Sequence, residues 1–590
     1  MRVIAALNGQ TPLARRLITC AILDFRRAFS SLGPAVVDFA KGGPADLTIK
    51  VWDAVVIGGG HNGLTAAAYL AKAGKSVAVL ERRHVLGGAA VTEELVPGFK
   101  FSRCSYLQSL LRPQIIRDLD LHRHSLKLLP RNPSSFIPSR DGKSYLLMGP
   151  DEALNRREVA KFSAKDAEAL PKYEAQLERF CALLDPLLDA PPLSFEGPAP
   201  SRGFRSLYQK AGTLTAFLGR SAKTGSKDLT ALYELMVAPA AKVLDRWFES
   251  DVLKAALATD AVIGAMASPY TPGSGYVLLH HVMGETNGHR GIWSFVEGGM
   301  GAVSAAIARS AVEAGATVVT NAEVAEIVVS DSKRVEGVRL ADGTLVRSAN
   351  VLANTTPHVT FRRLLAEEHI PPEFRRAVDL IDYSSPVTKI NLAVDKLPNF
   401  TAFPSSGDAP NAAHFGTIHL GAESMADIHT AYQECVNGHP SSRPVIEMTI
   451  PSSLDATIAP LGKHVINLFI QYTPYKPKDY NWDEPGRREA FAQRVFSIID
   501  EYAPGFSESI IGQDILTPPD LERLLNLTGG NIFHGSMGLD SLYLLRPVPG
   551  WSNYSTPVAG LYLCGSGAHP GGGVMGAPGR NAALTVVRNG

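Results

Sequence analysis

The feature that most constrains this 590-residue chain is a short apolar run followed at once by closely spaced glycines. Residues Ala54 to Ile57 are all apolar, which predicts a buried strand of a parallel sheet. Gly58, Gly60 and Gly63 then follow the G-x-G-x-x-G spacing. In this motif the first glycine permits a tight turn, the second lets the backbone approach a pyrophosphate, and the third lets the next helix pack against the strand.

The residues after these glycines complete a strand–helix–strand unit. The alanine- and leucine-rich stretch 64–73 predicts a helix that ends at Gly74. The apolar stretch 76–80 predicts a second strand, and it leads into Glu81. An acid in this place accepts hydrogen bonds from ribose hydroxyls. Because all parts occur in order, we predict a Rossmann-type dinucleotide-binding domain rather than a turn that binds nothing.

The fingerprint alone leaves the identity of the dinucleotide open. Arg82 and Arg83 follow the acid, and an arginine there can accept the additional phosphate of NADP. The alternative for these arginines is a solvated surface charge. The pair Gly87 and Gly88 favours a flavin, because a second glycine loop can lie against the phosphate and ribityl region of the cofactor.

A second glycine-rich segment lies close to the C-terminus. The run 561–564 predicts another buried strand, which leads into Gly565-Ser566-Gly567 and then into the glycines 571–573. Pro578 fits only the first turn of a helix, which places the start of the last helix near Gly576. Two such segments at opposite ends of one chain predict that both hold a single extended dinucleotide.

Three segments resemble phytoene desaturases of the bacterial and plant type: Gly560–Gly573, Thr517–Glu522 and Gly530–His534. Carotenoid isomerases and retinol saturases are similar, and the group shares the flavin fold of the amine oxidases. The resemblance runs from Val51 onward and implies FAD, with a hydride passing between flavin N5 and a small apolar, isoprenoid- or lipid-like substrate. The electron acceptor stays unknown. One departure is Ala89, where phytoene desaturases typically carry an arginine.

The predicted fold is therefore α/β, with a Rossmann-type FAD-binding domain and a discontinuous α+β substrate domain that carries a helical cap. Helical spacing dominates 151–260, whereas prolines and glycines interrupt 265–290. Short segments at 317–319, 324–329, 335–340 and 351–353 predict strands that return to the nucleotide-binding sheet. Alternating segments at 389–394 and 465–470 predict a largely antiparallel second sheet. The predicted ranges are 51–150, 293–360 and 541–590 for the FAD-binding domain, 151–292 and 361–540 for the substrate domain, and 1–50 for a targeting segment.

Candidate site residues come from the motifs and the resemblance. His569, beside the second glycine loop, is the first candidate for a polar group near the flavin ring, with a structural histidine as the alternative. Lys389 faces the flavin, or alternatively carries its ammonium to solvent. Tyr276, His280 and His281 are candidates for the substrate cavity, with a surface loop as the alternative. The predicted cofactor-binding residues are Gly58, Gly59, Gly60, His61, Asn62, Gly63, Glu81, Arg82, Gly87, Gly88, Val324, Gly565, Ser566, Gly572 and Gly573, and no metal ligands are predicted.

Composition narrows the classes of function. A net charge of +1, with no basic cluster among aromatic residues, gives no support for nucleic-acid binding. No apolar run reaches the ~20 residues of a membrane-spanning helix, which leaves only peripheral membrane contact open. Cys20, Cys104, Cys181, Cys435 and Cys564 include no C-x-x-C pair, so neither a redox dithiol nor a zinc site is expected.

Residues 1–50 predict a targeting segment. No acidic residue precedes Asp24, while arginine pairs occur at 15–16 and 26–27. Ile18, Ile22 and Phe25 form one stripe of a helical wheel, and the arginine pairs fall on another face. This pattern is typical of a transit peptide and predicts a mitochondrial location, first of all the matrix. Another organelle, or the cytoplasm with a tail or an interfacial helix, is the alternative.

The sequence as a whole predicts an FAD-dependent oxidoreductase. Three alternatives stay open: an amine oxidase-like enzyme, a flavin-containing regulatory or scaffold protein with vestigial catalysis, and an NADP-dependent dehydrogenase without flavin. Ala89 and the lack of an obvious catalytic pair keep the second of these open.

Overall fold

The computed structural model describes residues 44–192, 219, 224–286 and 288–589. Of the predicted targeting segment only residues 44–50 are described, with a short helix over Pro44–Leu47. The remainder of that prediction lies outside the described residues.

The first layer is a five-stranded parallel sheet, called the nucleotide sheet here. Its central strand is Ala54–Ile57, whose four residues are buried, and Val55 lies opposite Ala78 on one side and Val351 on the other. This confirms the predicted strands around both glycine-rich segments. From one edge to the other the strands are Thr317–Val319, Val77–Leu80, Ala54–Ile57, Val351–Ala353 and Leu561–Leu563.

Three helices pack together beside the nucleotide sheet. His61–Lys72 follows the first glycine loop, and both Gly301–Glu313 and Ala577–Asn589 pack against it. Pro578 lies in the first turn of the last helix, as its fixed backbone angle predicts. The predicted strands at 324–329 and 335–340 exist, but they form a separate antiparallel sheet with Leu345–Arg347 instead of extending the nucleotide sheet.

The second layer is a mixed seven-stranded sheet, called the substrate sheet here. All its neighbouring strands are antiparallel except one pair, in which Thr417 lies opposite Ser135. Two of its strands, at 135–138 and 145–148, come from the range that was predicted as part of the FAD-binding domain. In order the strands are Ile510–Leu516, Val387–Val394, His464–Gln471, Val445–Thr449, Thr417–Leu420, Ser135–Pro138 and Tyr145–Met148.

Side chains of the substrate sheet alternate between two faces, as the pleat requires. One face carries residues such as Ile390 and Leu468, which pack with Phe491 and Ile499 of the helix Arg487–Tyr502 in a hydrophobic core. The opposite face carries polar residues as well as aromatic ones. That second face forms one wall of the site described below.

A group of helices covers the substrate sheet and confirms the predicted helical cap in 151–260. The predicted interruption at 265–290 is wrong in part, because residues 274–282 form a buried helix after Gly273, whose φ is 83°. Burial of its apolar residues outweighs the local proline and glycine signals. The helices of this group are Glu152–Ala160, Ala164–Leu188, Ser226–Val237, Ala240–Trp247, Asp251–Thr259 and Ser274–Val282.

The remaining elements connect these layers. Two-stranded pairings join Thr92–Val96 to Phe99–Ser102, Leu128–Pro130 to Ser294–Val296, and Glu285–Thr286 to His289–Arg290. The other α-helices are Pro113–Asp118, Pro357–Val359, Pro372–Asp379, Ala412–Phe415, Met425–Val436 and Pro518–Leu525. No helix among the described residues is long and apolar enough to cross a membrane.

Candidate active site

The two glycine-rich segments meet at the carboxyl edge of the nucleotide sheet. Asn62, in the first turn of its helix, donates a hydrogen bond from Nδ2 to Oγ of Ser566, at 3.1 Å across 504 residues of chain. Asn354, which follows the strand between them, donates from Nδ2 to the carbonyl oxygen of Gly58 at 3.2 Å. In open α/β sheets ligands bind in this kind of crevice. The sequence predicted that both segments belong to one site, and in the structure they lie side by side.

Glycine is required at two positions of the first loop. Gly58 has a φ of 97°, which side chains rarely adopt. At Gly63 a Cβ atom would lie 2.2 Å from the carbonyl oxygen of Gly58, so any side chain there would displace the loop. The pair at 87 and 88 packs against the same loop, and the Gly87 amide donates to the carbonyl oxygen of Gly59 at 2.9 Å. The motif therefore has the shape that close approach of a phosphate requires.

Glu81 lies at the end of the second strand and in the wall of the cavity. Its Oε2 accepts from the Gly59 amide and its Oε1 from the Arg83 amide, both at 2.8 Å. Burial raises the pKa of the carboxyl group above its usual range. Because each carboxylate oxygen has two acceptor sites, ribose hydroxyls can share this group with the loop.

Both arginines after Glu81 are engaged within the protein. Arg82 donates from Nη2 to the carbonyl oxygen of Leu524 at 2.7 Å, and Arg83 forms an ion pair with Glu93 at 2.8 Å. Neither is therefore a solvated surface charge. Both residues nevertheless line the cavity, and Nη1 of Arg83 has no hydrogen-bond partner among the described residues.

Besides Nη1 of Arg83, three buried polar atoms beside the loops have no hydrogen-bond partner among the described residues: Nε2 of His61, Oδ1 of Asn62 and Nδ1 of His534. All three residues line the cavity. Burial lowers the pKa of His61 to about 4 and that of His534 to about 3, so both rings are neutral at pH 7. Since buried polar groups are nearly always paired, these atoms indicate a polar ligand such as a dinucleotide.

One large cavity of about 1340 Å³ joins the glycine loops to the helical cap. A single small-molecule site usually occupies about 300–1,000 Å³, so the space suits a cofactor together with a substrate. The cavity wall contains ten of the predicted cofactor-binding residues, and the other five (Gly59, Gly63, Gly87, Gly565 and Gly572) lie in the same loops outside it. The ten are Gly58, Gly60, His61, Asn62, Glu81, Arg82, Gly88, Val324, Ser566 and Gly573.

The structure places His569 outside the cavity wall. Nε2 of His569 donates to the carbonyl oxygen of Leu187 at 2.6 Å. The backbone carbonyl oxygen of His569 accepts from the Tyr554 hydroxyl at 2.9 Å. Burial lowers the pKa of the ring to about 4. The geometry therefore supports the structural alternative, in which His569 ties the second glycine loop to the helix Ala164–Leu188, and not the predicted polar group at the flavin.

Lys389 is also outside the cavity wall. The alternative predicted an ammonium group in solvent, but the side chain is buried. Nζ donates to Oδ1 of Asn391 and, at 3.1 Å, to Oδ1 of Asn467, and it lies 5.4 Å from the ring centre of Tyr106. Burial lowers the pKa of Lys389 to about 7. Tyr106 lines the cavity, so Lys389 lies behind the wall rather than in it.

The helix Ser274–Val282 brings only one of its three candidates to the cavity. His281 lines the wall and donates from Nδ1 to the carbonyl oxygen of Val277 at 2.9 Å, whereas Tyr276 and His280 are buried outside the wall. The alternative of a surface loop is wrong for all three residues. No group of histidine, cysteine, aspartate and glutamate residues in the described chain could hold a metal ion.

A row on the substrate sheet places Lys389 with two polar residues that sequence reasoning missed, His419 and Glu447. His419, Glu447, Phe469 and Lys389 lie directly opposite one another on four adjacent strands. Glu447 is buried and accepts at Oε2 from the Tyr106 hydroxyl at 2.6 Å, and burial raises its pKa to about 7. The signal in the sequence was a single glutamate inside the apolar run 445–449.

Two more charged groups line the cavity near this row. Arg131 donates from Nε to the carbonyl oxygen of Trp293 at 2.8 Å and from Nη1 to Oγ1 of Thr417 at 2.7 Å. Asp260 follows the helix Asp251–Thr259, and burial raises its pKa to about 7. Neither residue belongs to a motif, so nothing local in the sequence could have found them.

Comparison with known proteins identifies the family. The family model described as flavin containing amine oxidoreductase matches residues 63–456, which is more than half of the chain. The chain belongs to this family.

Relatives extend the match along the chain. Pyridine nucleotide-disulfide oxidoreductase domain-containing protein 2 of Rattus norvegicus is 55% identical over 91% of this chain and 94% of its own. A limonene dehydrogenase polypeptide of Castellaniella defragrans is 28% identical over 92% and 95% of the two chains. Phytoene desaturase (lycopene-forming) of Pseudescherichia vulneris is 25% identical over 88% and 96%. The resemblance to phytoene desaturases is confirmed.

A solved structure of putrescine oxidase bound to putrescine has the same fold. It superposes with a TM-score of 0.52 at 14% identity, over 91% of this chain and 99% of its own. The predicted fold class is confirmed. The family and the geometry together make the protein an FAD-dependent oxidoreductase. The four described cysteines, Cys104, Cys181, Cys435 and Cys564, are free and buried, so no disulfide is formed among them.

Proposed function

We propose that the enzyme oxidises or reduces a small, largely apolar substrate, isoprenoid- or lipid-like, by passing a hydride between that substrate and FAD. The observation that carries this proposal is the cavity beneath the helical cap, which continues from the glycine loops. Its wall there includes Leu177, Leu257 and Leu278 of the cap helices and Ile137 and Phe469 of the substrate sheet. Burying apolar surface against such side chains contributes roughly 25 cal/mol per Å².

The residues around the loops define what the protein itself does for the cofactor. The main-chain amides near Gly58 would approach its phosphates, Glu81 would accept its ribose hydroxyls, and the unpartnered atoms of His61 and His534 would meet its polar groups. When bound, FAD would supply a hydride acceptor or donor at N5. Leu177, Leu257 and Leu278 of the cap helices would line the space next to it.

The names of two relatives support the apolar substrate. One is called limonene dehydrogenase and the other phytoene desaturase, and both names refer to hydrocarbons. Both relatives align over nearly the whole chain. At 28% and 25% identity they support the substrate class and not a particular compound.

An amine oxidase-like activity is the second candidate. The observation that favours it is the pair of carboxyl groups of Asp260 and Glu447 in the cavity wall, which could bind a substrate ammonium. Arg131 lies in the same wall and opposes a cation there. We therefore place this activity second.

Anaerobic reduction of the bound flavin separates the two candidates. The purified full chain is mixed with limonene or with putrescine, and bleaching of the visible flavin band is followed in time. Bleaching by limonene and not by putrescine is the expected result. Bleaching by putrescine alone, with hydrogen peroxide released in air, would replace the proposed function by the amine oxidase-like one.

We further propose that the enzyme works in mitochondria, most directly in the matrix. The arginine pairs and the apolar stripe of residues 1–50 support this location. Residues 1–50 fused to a fluorescent protein should direct it to mitochondria, and a variant with Arg15, Arg16, Arg26 and Arg27 replaced by glutamine should stay in the cytosol. An unchanged cytosolic distribution of the first fusion would contradict the proposal.

A further inference from the structure

One end of the cavity is charged, and an entirely apolar substrate would have no group to interact with that charge. Arg131 is 3% exposed, yet no carboxylate of the described residues lies within ion-pair distance of its guanidinium. Its Nε and Nη1 are bonded to neutral acceptors, and Nη2 has no acceptor among the described residues. Glu447 and Asp260 act on this charge only from beyond ion-pair distance, so the cost of burying it is only partly offset.

The groups that bond directly to Arg131 are neutral, and they hold it in place. Thr417 and the carbonyl oxygen of Trp293 fix the plane of the guanidinium from two sides, and the ring centre of Phe295 lies 5.5 Å from its Cζ. A guanidinium fixed in this way presents its remaining N–H groups in a rigid fork. That fork matches the two oxygens of a carboxylate.

The same wall contains further hydrogen-bonding groups. His419, two residues beyond Thr417 on the same face of the strand, has a buried Nδ1 with no partner among the described residues. Glu447 and Asp260 also line the wall, and Arg131 acts on the charge of both. We call Arg131, Thr417, His419, Glu447 and Asp260 the Arg131 subsite.

We propose that the Arg131 subsite binds the carboxylate of a substrate whose other end is apolar. The substrate is then a carboxylic acid with a hydrocarbon chain or ring system, and the apolar part lies between the subsite and the glycine loops. This inference rests on the proposed function, which supplies the apolar part of the substrate.

Below pH 7 the charges in the wall favour an anion over a cation, because Asp260 and Glu447 are then mostly protonated while Arg131 stays charged. An ammonium group would bring a second positive charge next to Arg131, which already lacks an ion-pair partner among the described residues. A hydroxyl group would supply one acceptor where the fork offers two donors. Glu447 and Asp260, with pKa values near neutrality, hold protons in part of the molecules at pH 7 and can then donate to a carboxylate.

Three ligands of one chain length test the inference. Dodecanoate, dodecylamine and 1-dodecanol carry a negative, a positive and no charge on the same hydrocarbon chain. Their affinities for the flavin-loaded full chain are measured by calorimetry at pH 6.5, below the concentrations at which they form micelles. We expect dodecanoate to bind about tenfold more tightly than either of the others, as charge-assisted bidentate pairs do.

Two substitutions locate the carboxylate. Arg131→Met removes the charge and the fork, and Arg131→Lys keeps a charge but removes the fork. Both should lower dodecanoate affinity, the first about tenfold and the second less, while changing 1-dodecanol affinity much less. Arg309→Met is the matched control, because Arg309 is a half-buried arginine that donates to the carbonyl oxygen of His124 outside the cavity wall. It should bind dodecanoate as the parent does.

Flavin content and thermal unfolding are measured for each variant, and if Arg131→Met does not fold, Arg131→Lys decides. Equal affinities for the three ligands, tightest binding of dodecylamine, or unchanged dodecanoate affinity in the folded Arg131 variant would each overturn the inference. A protein that binds dodecanoate through Arg131 but whose flavin no apolar compound bleaches would contradict the proposed function and leave the subsite intact.

Discussion

At the scale of single residues, burial rather than motif membership determines what the titratable groups do. His569 was predicted from its place beside a glycine loop, yet its ring bonds a carbonyl oxygen of the cap. Arg131, Glu447 and Asp260 were not predicted, because each reaches the cavity through pairing or packing with residues far away in sequence. A single sequence shows the residue types, but it does not show which residues become neighbours in the folded protein.

Replacing His569 tests its structural role. His569→Ala should lower the free energy of unfolding by about 1–3 kcal/mol, because it removes a buried hydrogen bond and leaves the Leu187 carbonyl unpaired. The flavin should still be reduced by substrate at the parent rate, as measured by stopped-flow absorbance. His569→Gln, which keeps a donor, should lose less stability. A large fall in the reduction rate with unchanged stability would return His569 to the site.

The affinity for dodecanoate should depend on pH through Asp260 and Glu447. Both carboxyl groups have pKa values of about 7, so they become charged as the pH rises from 6 to 8 and then repel an anion. Calorimetry should therefore show affinity falling over this range. Of the other groups that face the subsite, Arg131, with a pKa of about 10, stays charged. The pKa values of His419 and His281 are lowered and those of Tyr106 and Tyr173 are raised, so these four stay neutral. Lys389 behind the wall and Glu174 elsewhere in it also have pKa values of about 7, and the charge that each loses or gains as the pH rises adds to the fall.

Glu447→Gln is the control for this pH dependence. It keeps the size of the side chain and its hydrogen bond with Tyr106 while removing one of the titrating groups. The variant should show a shallower fall in affinity between pH 6 and 8. Affinity that rises with pH in the parent protein would contradict the assignment.

At the scale of elements, the sequence predicted those helices and strands whose signals lie close together in the chain, and it missed those that depend on distant contacts. The parallel strands and their glycine loops were predicted, because a β-branched run, a fixed glycine spacing and a following helix lie within some thirty residues. The helix Ser274–Val282 was missed, since its neighbours Pro272 and Gly273 indicate a break and only tertiary burial stabilises it. The pairing of Ser135–Pro138 with Thr417–Leu420 joins residues about 280 apart, which no local pattern contains.

The first glycine loop can be tested by a matched pair of glycine substitutions. Gly63→Ala places a methyl group 2.2 Å from the Gly58 carbonyl oxygen, so the loop must move. We expect less than half of the parent FAD content after purification, measured by absorbance of the released cofactor. Gly407→Ala, at an exposed glycine with no atom near its Cβ position, should retain the full content. Equal FAD content in both variants would contradict the role of the loop.

At the scale of the whole molecule, one cavity connects a nucleotide sheet to a substrate sheet within a single compact unit. The chain crosses between the sheets repeatedly, so both sheets must form before the cavity exists. The sequence predicted one part of the fold for the cofactor and another for the substrate. Family membership confirms that the protein is a flavoenzyme. The shape and the charges of the substrate end came only from the folded structure.

The central claim is that both glycine-rich segments hold one FAD, and the most direct measurement is the visible absorption spectrum of the purified full chain. We predict flavin bands that dithionite bleaches, with one FAD released per chain on denaturation. A colourless protein that takes up no added FAD would contradict the account.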